Sequence, residues 1–400
     1  MSSIVYWASP FEMPSIFGDK KIMATNNFVK TRLIMDKILD NINSGDKVGI
    51  KIHTGEAYTS RYLRHEYILE IVNAVKAKGG IPTLIETQGL GMYHQQLDLS
   101  ENYSICVGCR KTTSDHKKIV NRHGYSESIV GAPFKFLDGE KGIDSKMIKI
   151  DGIQLKEVAV AVGLFEYDKI VVVSHFKGHA LAGFGGALKQ LGVGCVTKQN
   201  KYVLHYLTNL TINTKRCNIS KCAQECVKSC PVNAIKIEEN TAVLDNEVCV
   251  SCIACLESCP VKRAINSSFN YTDFKGATEK VADNTLGVIN SFGAENIRYI
   301  NIAIDIAKFC DCQVTVGMPV IPDLGIFGSS DPLAIDKACV DAETNAPGLP
   351  FLDFQGNWSQ PLGQGIEKFK ALNPSVDTTW LINAAVKNKL GSIDYELVKI

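Results

Sequence analysis

Eight cysteines packed between positions 217 and 259 constrain this 400-residue chain more than any other feature. The second run reads Cys249-Val-Ser-Cys252-Ile-Ala-Cys255-Leu-Glu-Ser-Cys259-Pro260, a C-x2-C-x2-C-x3-C-P pattern. The first, Cys217-x4-Cys222-x3-Cys226-x3-Cys230-Pro231, is a stretched version of it. Short spacing lets one loop wrap three thiolates around one face of an iron–sulfur cube, while the cysteine before proline reaches a second cube. The pattern therefore predicts two [4Fe–4S] clusters. Cys217, Cys222, Cys226 and Cys259 would hold one, and Cys249, Cys252, Cys255 and Cys230 the other. Zinc is the competing reading, but a zinc site uses four ligands from two pairs and needs no two quartets that each end in Cys-Pro.

Composition supports metal over disulfides. Fourteen cysteines in a chain with no basic leader and apolar core at MSSIVYWASPFEMPS fit a reduced, oxygen-free cytoplasm better than an oxidising compartment. A formal charge of +1, from 43 basic and 42 acidic residues, offers no electrostatic footprint for nucleic acid. No apolar run approaches the roughly 18–20 residues of a membrane span.

Outside the cysteine-rich segment the texture is α/β. Strands are expected at Val48–His53, Pro82–Glu86 and Lys169–Ser174, and helices at Phe28–Ile42, Tyr62–Lys78, Asp115–Arg122 and Leu155–Phe165. Tyr62, Ile68, Ile71, Val72 and Val75 recur at helical spacing before Gly79-Gly80 stops the helix. Strand, helix, strand in that order implies a parallel sheet. After the cysteines come helices at Ala277–Phe292, Asp331–Asn345 and Val376–Lys389, and strands at Tyr299–Asp305 and Asp394–Ile400. The expected architecture is an α/β body with a mostly parallel sheet and an inserted bacterial-type ferredoxin domain. Residues 1–210 form its N-terminal part, 211–268 the insertion, and 269–400 the C-terminal part that completes the body.

Polar side chains gather where strands are expected to end. Ser174-His175-Phe-Lys177-Gly-His179 leads into Gly183-Phe-Gly185-Gly186-Ala-Leu-Lys189. Ligands of open α/β sheets bind beyond the carboxyl ends of strands, and glycines there let backbone N–H groups approach an anion at a helix start. His53 and Glu56 follow the Val48–His53 strand in the same way, and Lys201 and His205 follow a Gly192–Cys195 turn. His53, Glu56, His175, Lys177, His179 and Lys189 are thus the candidate catalytic groups. Gly183, Gly185, Gly186, Lys201 and His205 are the candidate cofactor-binding groups. Cys310-Asp311-Cys312 is a tight pair that can chelate a soft metal, act as a redox couple, or sit buried and inert. Cys106 and Cys109 form a further pair that could join it in a four-thiolate site. Asp331-Pro332 predicts a helix start, and Asp336 would then face the interior, where a carboxylate needs partners.

Together these segments resemble the domain of unknown function 362 family with an internal two-cluster ferredoxin domain. The resemblance rests on Lys51-Ile-His53-Thr-Gly-Glu56, Ser174 to His179, Gly183 to Gly192, both cysteine runs, Cys310-Asp-Cys312 and Asp331 to Asp336. It implies the architecture above and no particular activity. A second, local resemblance is to the nickel-pincer lactate racemase family, at His179-x3-Gly183-Phe-Gly185-Gly186-x2-Lys189. It implies His179 as ligand or base and Lys189 as covalent or phosphate anchor, although that family lacks a ferredoxin insertion. The expected function is an electron relay through two clusters to a substrate or cofactor in the α/β cleft, as in a ferredoxin-dependent oxidoreductase. Metal or cluster assembly without turnover, and a pincer-type isomerase with accessory clusters, are the alternatives. Expected partners are a ferredoxin or other low-potential donor or acceptor and a small-molecule substrate, with self-association left open.

Overall fold

The computed structural model describes residues 2–10, 26–90, 95–100, 103–205, 210–230, 232–249, 254–267, 273–314, 316–352 and 355–400. Cys252 lies outside these residues, and the Cys106 side chain lies outside the described side chains. The body is built on an eight-stranded sheet. Its strands are β1 (Ser3–Ala8), β2 (Lys47–Lys51), β3 (Ile81–Glu86), β4 (Phe134–Phe136), β5 (Lys169–His175), β6 (Ile297–Ala303), β7 (Gly325–Ser329) and β8 (Tyr395–Lys399). They lie in the order β8-β1-β7-β6-β5-β2-β3-β4. Within this sheet β7 runs antiparallel to both neighbours, and the remaining pairings are parallel.

The sequence of β5 explains why it is central. Ile170, Val171, Val172 and Val173 are all buried, as a strand covered on both faces requires. Because side chains alternate, Val171 and Val173 pack with one layer, and Ile170 and Val172 with the other. The first layer is made by α1 (Asn27–Ile38) and α2 (His65–Ala77), through Ile34, Ile38, Ile68, Ile71 and Val75. The second contains α3 (Ala187–Gly194), α4 (Lys198–His205), α5 (Phe274–Phe292), α6 (Pro332–Asn345) and α7 (Thr378–Lys387). Leu188, Leu191, Val281, Leu333, Ile335 and Leu381 pack there. Each such side chain contributes about 1.5–3 kcal/mol by leaving water.

The expected helix at Leu155–Phe165 is not formed. Glu157–Ala161 is a strand paired antiparallel with Ser145–Lys149, followed by a 3-10 turn at Val162–Glu166. Val158 and Val160 favour the extended chain, and the Val158 side chain packs so tightly on α5 that a Cβ on Gly287 would lie 2.7 Å from it. No helix among the described residues is long and apolar enough to cross a membrane.

Within the cysteine-rich segment, Leu210–Ile212 pairs antiparallel with Ile265–Ser267, so the chain leaves and re-enters the body on one ribbon. Inside it, Ile235–Glu238 and Thr241–Leu244 form a hairpin. Leu210, Cys226, Ile235, Ala242, Cys255 and Ile265 make a separate small core, to which Tyr202 of α4 is added.

One buried acid shapes the second layer. Asp331 caps α6 by accepting from the N–H groups of Leu333 and Ala334, as its Asp-Pro start predicts. One turn later, Asp336 accepts from Ala187 N–H at 2.7 Å, Leu188 N–H at 2.9 Å and the Asn301 amide at 2.8 Å. The N-terminus of α3, expected to receive an external anion, is thus filled by the protein's own carboxylate. Burial pushes that carboxyl up to about 6. A Cβ at Gly186 would lie 2.2 Å from Asp336 Oδ1, so this glycine serves the internal cap. Asp336→Asn should lower stability by about 1–3 kcal/mol, since an amide donor would face a buried N–H, and Gly186→Ala should be destabilising as well. Wild-type melting temperatures in both variants would contradict this packing.

Candidate functional site

Successive strands run outward from β2 through β3 to β4, and then the chain returns to place β5 on the other side of β2. The carboxyl ends of β2 and β5 therefore diverge into a crevice, the place where open sheets bind ligands. A cavity of about 520 Å³ opens there. It is lined by His53, Glu56, His175, Lys177, His179, Gly185, Gly186, Lys189, Lys201 and His205, so most of the residues singled out from the sequence converge on one space. Gly183 does not line it. Gly183 turns the hairpin between Lys177–His179 and Gly183–Gly185 at φ +77°, and a Cβ there would press on Thr378 of α7 at 3.0 Å. Its role is backbone geometry and not ligand contact.

Asp311 is the centre of the charge arrangement. It is almost fully buried, on the long connection between β6 and β7. Lys177 Nζ lies 2.8 Å from Oδ1, His175 Nδ1 3.2 Å from Oδ2, and His53 Nε2 3.4 Å from Oδ1. His175 reaches Ile304 O with its other nitrogen at 2.8 Å, and His53 reaches Glu86 Oε2 at 3.2 Å. At its distance His53 Nε2 is in ion-pair range of Asp311 but makes no hydrogen bond among the described residues; the buried Ser174 hydroxyl likewise makes none. Both residues line the cavity and leave polar atoms for a bound molecule. Burial would push the Asp311 carboxyl up, but Lys177 and the two imidazoles hold it below the ordinary carboxylate range.

Two further anions complete this wall. Glu86, at the end of β3, pairs with buried Lys51 at 2.7 Å. Burial opposes its charge, and Lys51 and His53 outweigh burial, holding it well below the usual range. Glu56 accepts from the Cys109 N–H at 3.2 Å and lies 3.4 Å from Arg110 Nε. Arg110, Asp311 and Glu86 were not singled out from the sequence. Asp311 was hidden between two cysteines, Arg110 follows the Cys109 pair, and Glu86 reads as the last residue of a strand. Cys109 is in a disulfide, which withdraws its thiol from the four-thiolate site considered above.

Cys310 and Cys312 face this charge from the loop. Lys189 Nζ lies 3.8 Å from Cys310 Sγ, the Cys312 N–H donates to that sulfur at 3.4 Å, and Asp311 Oδ1 lies 3.3 Å from it. Burial pushes the Cys310 thiol up. The hydrogen bond from Cys312, then Lys189 and Lys177, outweigh burial and hold it well below the ordinary cysteine range. Cys312 moves the opposite way, because it supplies that hydrogen bond and is itself buried. His179 Nε2 sits 3.8 Å from Cys312 Sγ. Its Nδ1 accepts from the N–H groups of Leu181 at 3.1 Å and Ala182 at 3.0 Å. A neutral imidazole with Nδ1 as acceptor carries its proton on Nε2, so His179 presents a donor to Cys312. Burial, with Lys189 nearby, holds this histidine neutral by pushing it well below its usual range. The nitrogen and sulfur atoms of His179, Cys310 and Cys312 all lie within 4.8 Å of one another.

The far wall comes from α4. Lys201 Nζ donates to Thr87 Oγ1 and Gln88 O, each at 2.6 Å, and burial lowers its ammonium to about 8. His205 is lowered to about 4 by burial and Lys189. The same helix meets the cysteine-rich segment. Lys198 Nζ pairs at 2.9 Å with buried Glu257, which lies between Cys255 and Cys259, and Tyr202 OH donates to Glu257 at 3.4 Å.

In that segment Cys217, Cys222, Cys226 and Cys259 line one small cavity. None of the four is in a disulfide, and neither are Cys230, Cys249 and Cys255. Backbone N–H groups already point at two of the sulfurs, Ala242 to Cys217 at 3.3 Å and Ala234 to Cys230 at 3.2 Å. Converging reduced thiols with N–H donors fit an iron–sulfur cluster, whose sulfurs are stabilised by such bonds.

The charges of this site set its response to mutation and to pH. Asp311→Asn leaves Lys177 and two imidazoles without their buried counter-ion and should cost about 3–5 kcal/mol of stability; a loss below about 1 kcal/mol by denaturant titration would show that the network is not coupled. His179 and His205 are held neutral below their unfolded values, so the unfolded chain binds more protons as pH falls. Stability should therefore drop from about pH 6.5 toward pH 4, and a melting temperature that holds or rises over that window would contradict the neutral assignment.

Relatives of known name match parts of the chain. A ferredoxin from Alicyclobacillus acidocaldarius subsp. acidocaldarius is 36% identical over 62 residues, 16% of this chain and 80% of that protein. One of the subunits of tetrathionate reductase from Archaeoglobus fulgidus is 50% identical over 36 residues, 9% of this chain and 17% of that protein. Among solved structures, the lactate racemase apoprotein from Thermoanaerobacterium thermosaccharolyticum matches with TM-score 0.37 and 13% identity, over 86% of this chain and 58% of that one. A structural-genomics protein from Thermotoga maritima matches with TM-score 0.34 and 13% identity, over 69% of this chain and 50% of that one. The chain thus spans between one sixth and four fifths of the length of these relatives. The family model described as "Domain of unknown function (DUF362)" matches residues 48–341, most of the chain, and the protein belongs to that family.

Proposed function

We propose that this protein is an iron–sulfur redox protein that exchanges electrons between a ferredoxin-like module and a substrate or cofactor in the crevice at β2 and β5. Cys217, Cys222, Cys226 and Cys259 would hold one [4Fe–4S] cluster, and Cys249, Cys252, Cys255 and Cys230 the other. When bound, these clusters supply one-electron carriers. A ferredoxin or another low-potential protein is the natural outside partner.

The observation that carries this reading is the double membership of α4. Lys201, Leu204 and His205 line the crevice, while Tyr202 packs into the cysteine-rich core and Lys198 pairs with Glu257 beside the cluster cysteines. One eight-residue helix thus touches both sites. The chain's own groups then do the rest. Lys189 and Lys201, with Lys177 beside Asp311, receive an anionic molecule, and His179 offers it a hydrogen-bond donor at Nε2.

Anaerobic purification with iron, sulfide and zinc analysis tests the module. Two cubanes' worth of iron per chain are expected. Cys259→Ser should remove one cluster and leave the other intact by electron paramagnetic resonance, as Cys217→Ser should. The same remaining signal in both variants is the sharp outcome, because Cys259 belongs to the other run in sequence. If Cys259→Ser instead left the signal that Cys255→Ser leaves, the ligand sets would be wrong, and zinc in place of iron would remove the function.

A further inference from the structure

We infer that Cys310 and Cys312 form a dithiol–disulfide couple, the two-electron acceptor at the inner end of this protein's electron path. The inference rests on the redox function proposed above and names the group in the crevice that the electrons reach. Several features carry it. The two sulfurs are neighbours in a C-x-C turn, and Cys312 presents both its N–H and its thiol to Cys310. Cys312 lines the cavity, so the pair is open to a bound molecule. The ammoniums of Lys189 and Lys177 flank Cys310, and His179 presents its Nε2–H to Cys312 as a hydrogen-bond donor. Lys177 and His179 are themselves fixed by buried contacts, to Asp311 and to two backbone N–H groups.

A metal chelate at the same residues is disfavoured by the same geometry. The His179 Nδ1 lone pair is taken by two backbone N–H groups, which leaves a proton on the nitrogen that faces the sulfurs. Two ammoniums beside the thiolate repel a cation and stabilise the anion of a redox thiol instead. Asp311 is engaged by Lys177 and His175, with His53 in ion-pair range and the Cys310 sulfur 3.3 Å from Oδ1.

In the oxidised protein the Cys310–Cys312 S–S bond is intact. Two electrons, delivered singly through the cysteine-rich module, break it, leaving a thiolate on Cys310 and an electron pair on Cys312 that takes one proton from solvent in the crevice, held meanwhile by the hydrogen bond from His179 Nε2. In the reverse direction a disulfide or another two-electron oxidant bound in the cavity is reduced, and the S–S bond reforms. The pair thereby converts two single-electron carriers into one two-electron donor.

The test uses the full-length, cluster-loaded protein under anaerobic conditions. It is oxidised with diamide, desalted, and titrated with reduced methyl viologen; samples are quenched in acid, unfolded and alkylated with N-ethylmaleimide. Residues 309–337, bounded by tryptic sites, contain these two cysteines and no other, so one peptide reports the pair. After diamide it should be unalkylated and lighter by two hydrogens than the dithiol form. Two electron equivalents should convert it to the doubly alkylated form, and Cys259→Ser, lacking one cluster, should slow that conversion at least tenfold. Cys312→Ser should keep the cluster spectrum, which shows that it folds, yet form no bridge. A peptide that stays doubly alkylated after diamide overturns the inference, as does a bridge that opens equally fast without the cluster. A stoichiometric soft metal lost on Cys312→Ser also overturns it, in favour of a chelate. Absence of iron from the starting protein is a different failure, that of the redox function itself.

Discussion

A carboxylate deep in an apolar sheet protein is costly unless cations come to it, and Asp311 is such a carboxylate. Its neighbours arrive from three different elements: His53 after β2, His175 at the end of β5, and Lys177 in the hairpin that follows. That single anion ties the loop carrying Cys310 and Cys312 to the crevice where the strand order reverses. Without it the loop would have no charge-based reason to fold inward, and the cationic side chains would repel one another across the cavity. The burial of the central strands supplies the stability that offsets the desolvation of this network.

The remainder of the site is layered on that anchor. Glu86 and Glu56 pair with Lys51 and Arg110 on one wall, Asp311 pairs with Lys177, and Lys189 and Lys201 also line the cavity. His179 is locked in one tautomer by two backbone N–H groups, which fixes the direction in which it can donate a hydrogen bond. The cysteine-rich segment, tethered by the ribbon at Leu210–Ile212 and Ile265–Ser267, leans on α4 through Tyr202 and through Glu257. The cysteine-rich segment and the polar crevice thus share one helix.

Much of this was legible in the sequence because its signals are local. The two cysteine runs announce a ferredoxin-like segment, Lys169 to Ser174 reads as a central strand from four consecutive β-branched residues, and Asp331-Pro332 announces the cap of α6. The histidines and lysines at strand ends point to the crevice because ligand sites of open sheets lie there. What was not legible is long-range. Glu157–Ala161 is extended because it packs against α5, which no window around it contains. The α3 N-terminus looked ready for an external anion, and only the fold brings Asp336 to it. Asp311 and Arg110 carry no motif; they matter because the loops that hold them meet across the crevice. Strands β1, β4 and β7 were not expected from the sequence, and pairing in the sheet decides them.

The proposed function depends on the cysteine-rich segment holding two cubanes close enough to act as one relay. Low-temperature electron paramagnetic resonance of the fully reduced protein, prepared without oxygen, measures this most directly. Two neighbouring reduced [4Fe–4S] clusters predict a broadened spectrum, split by their magnetic interaction and integrating to two spins per chain. A single unbroadened cubane signal integrating to one spin, or silence in a protein that contains zinc, would contradict it.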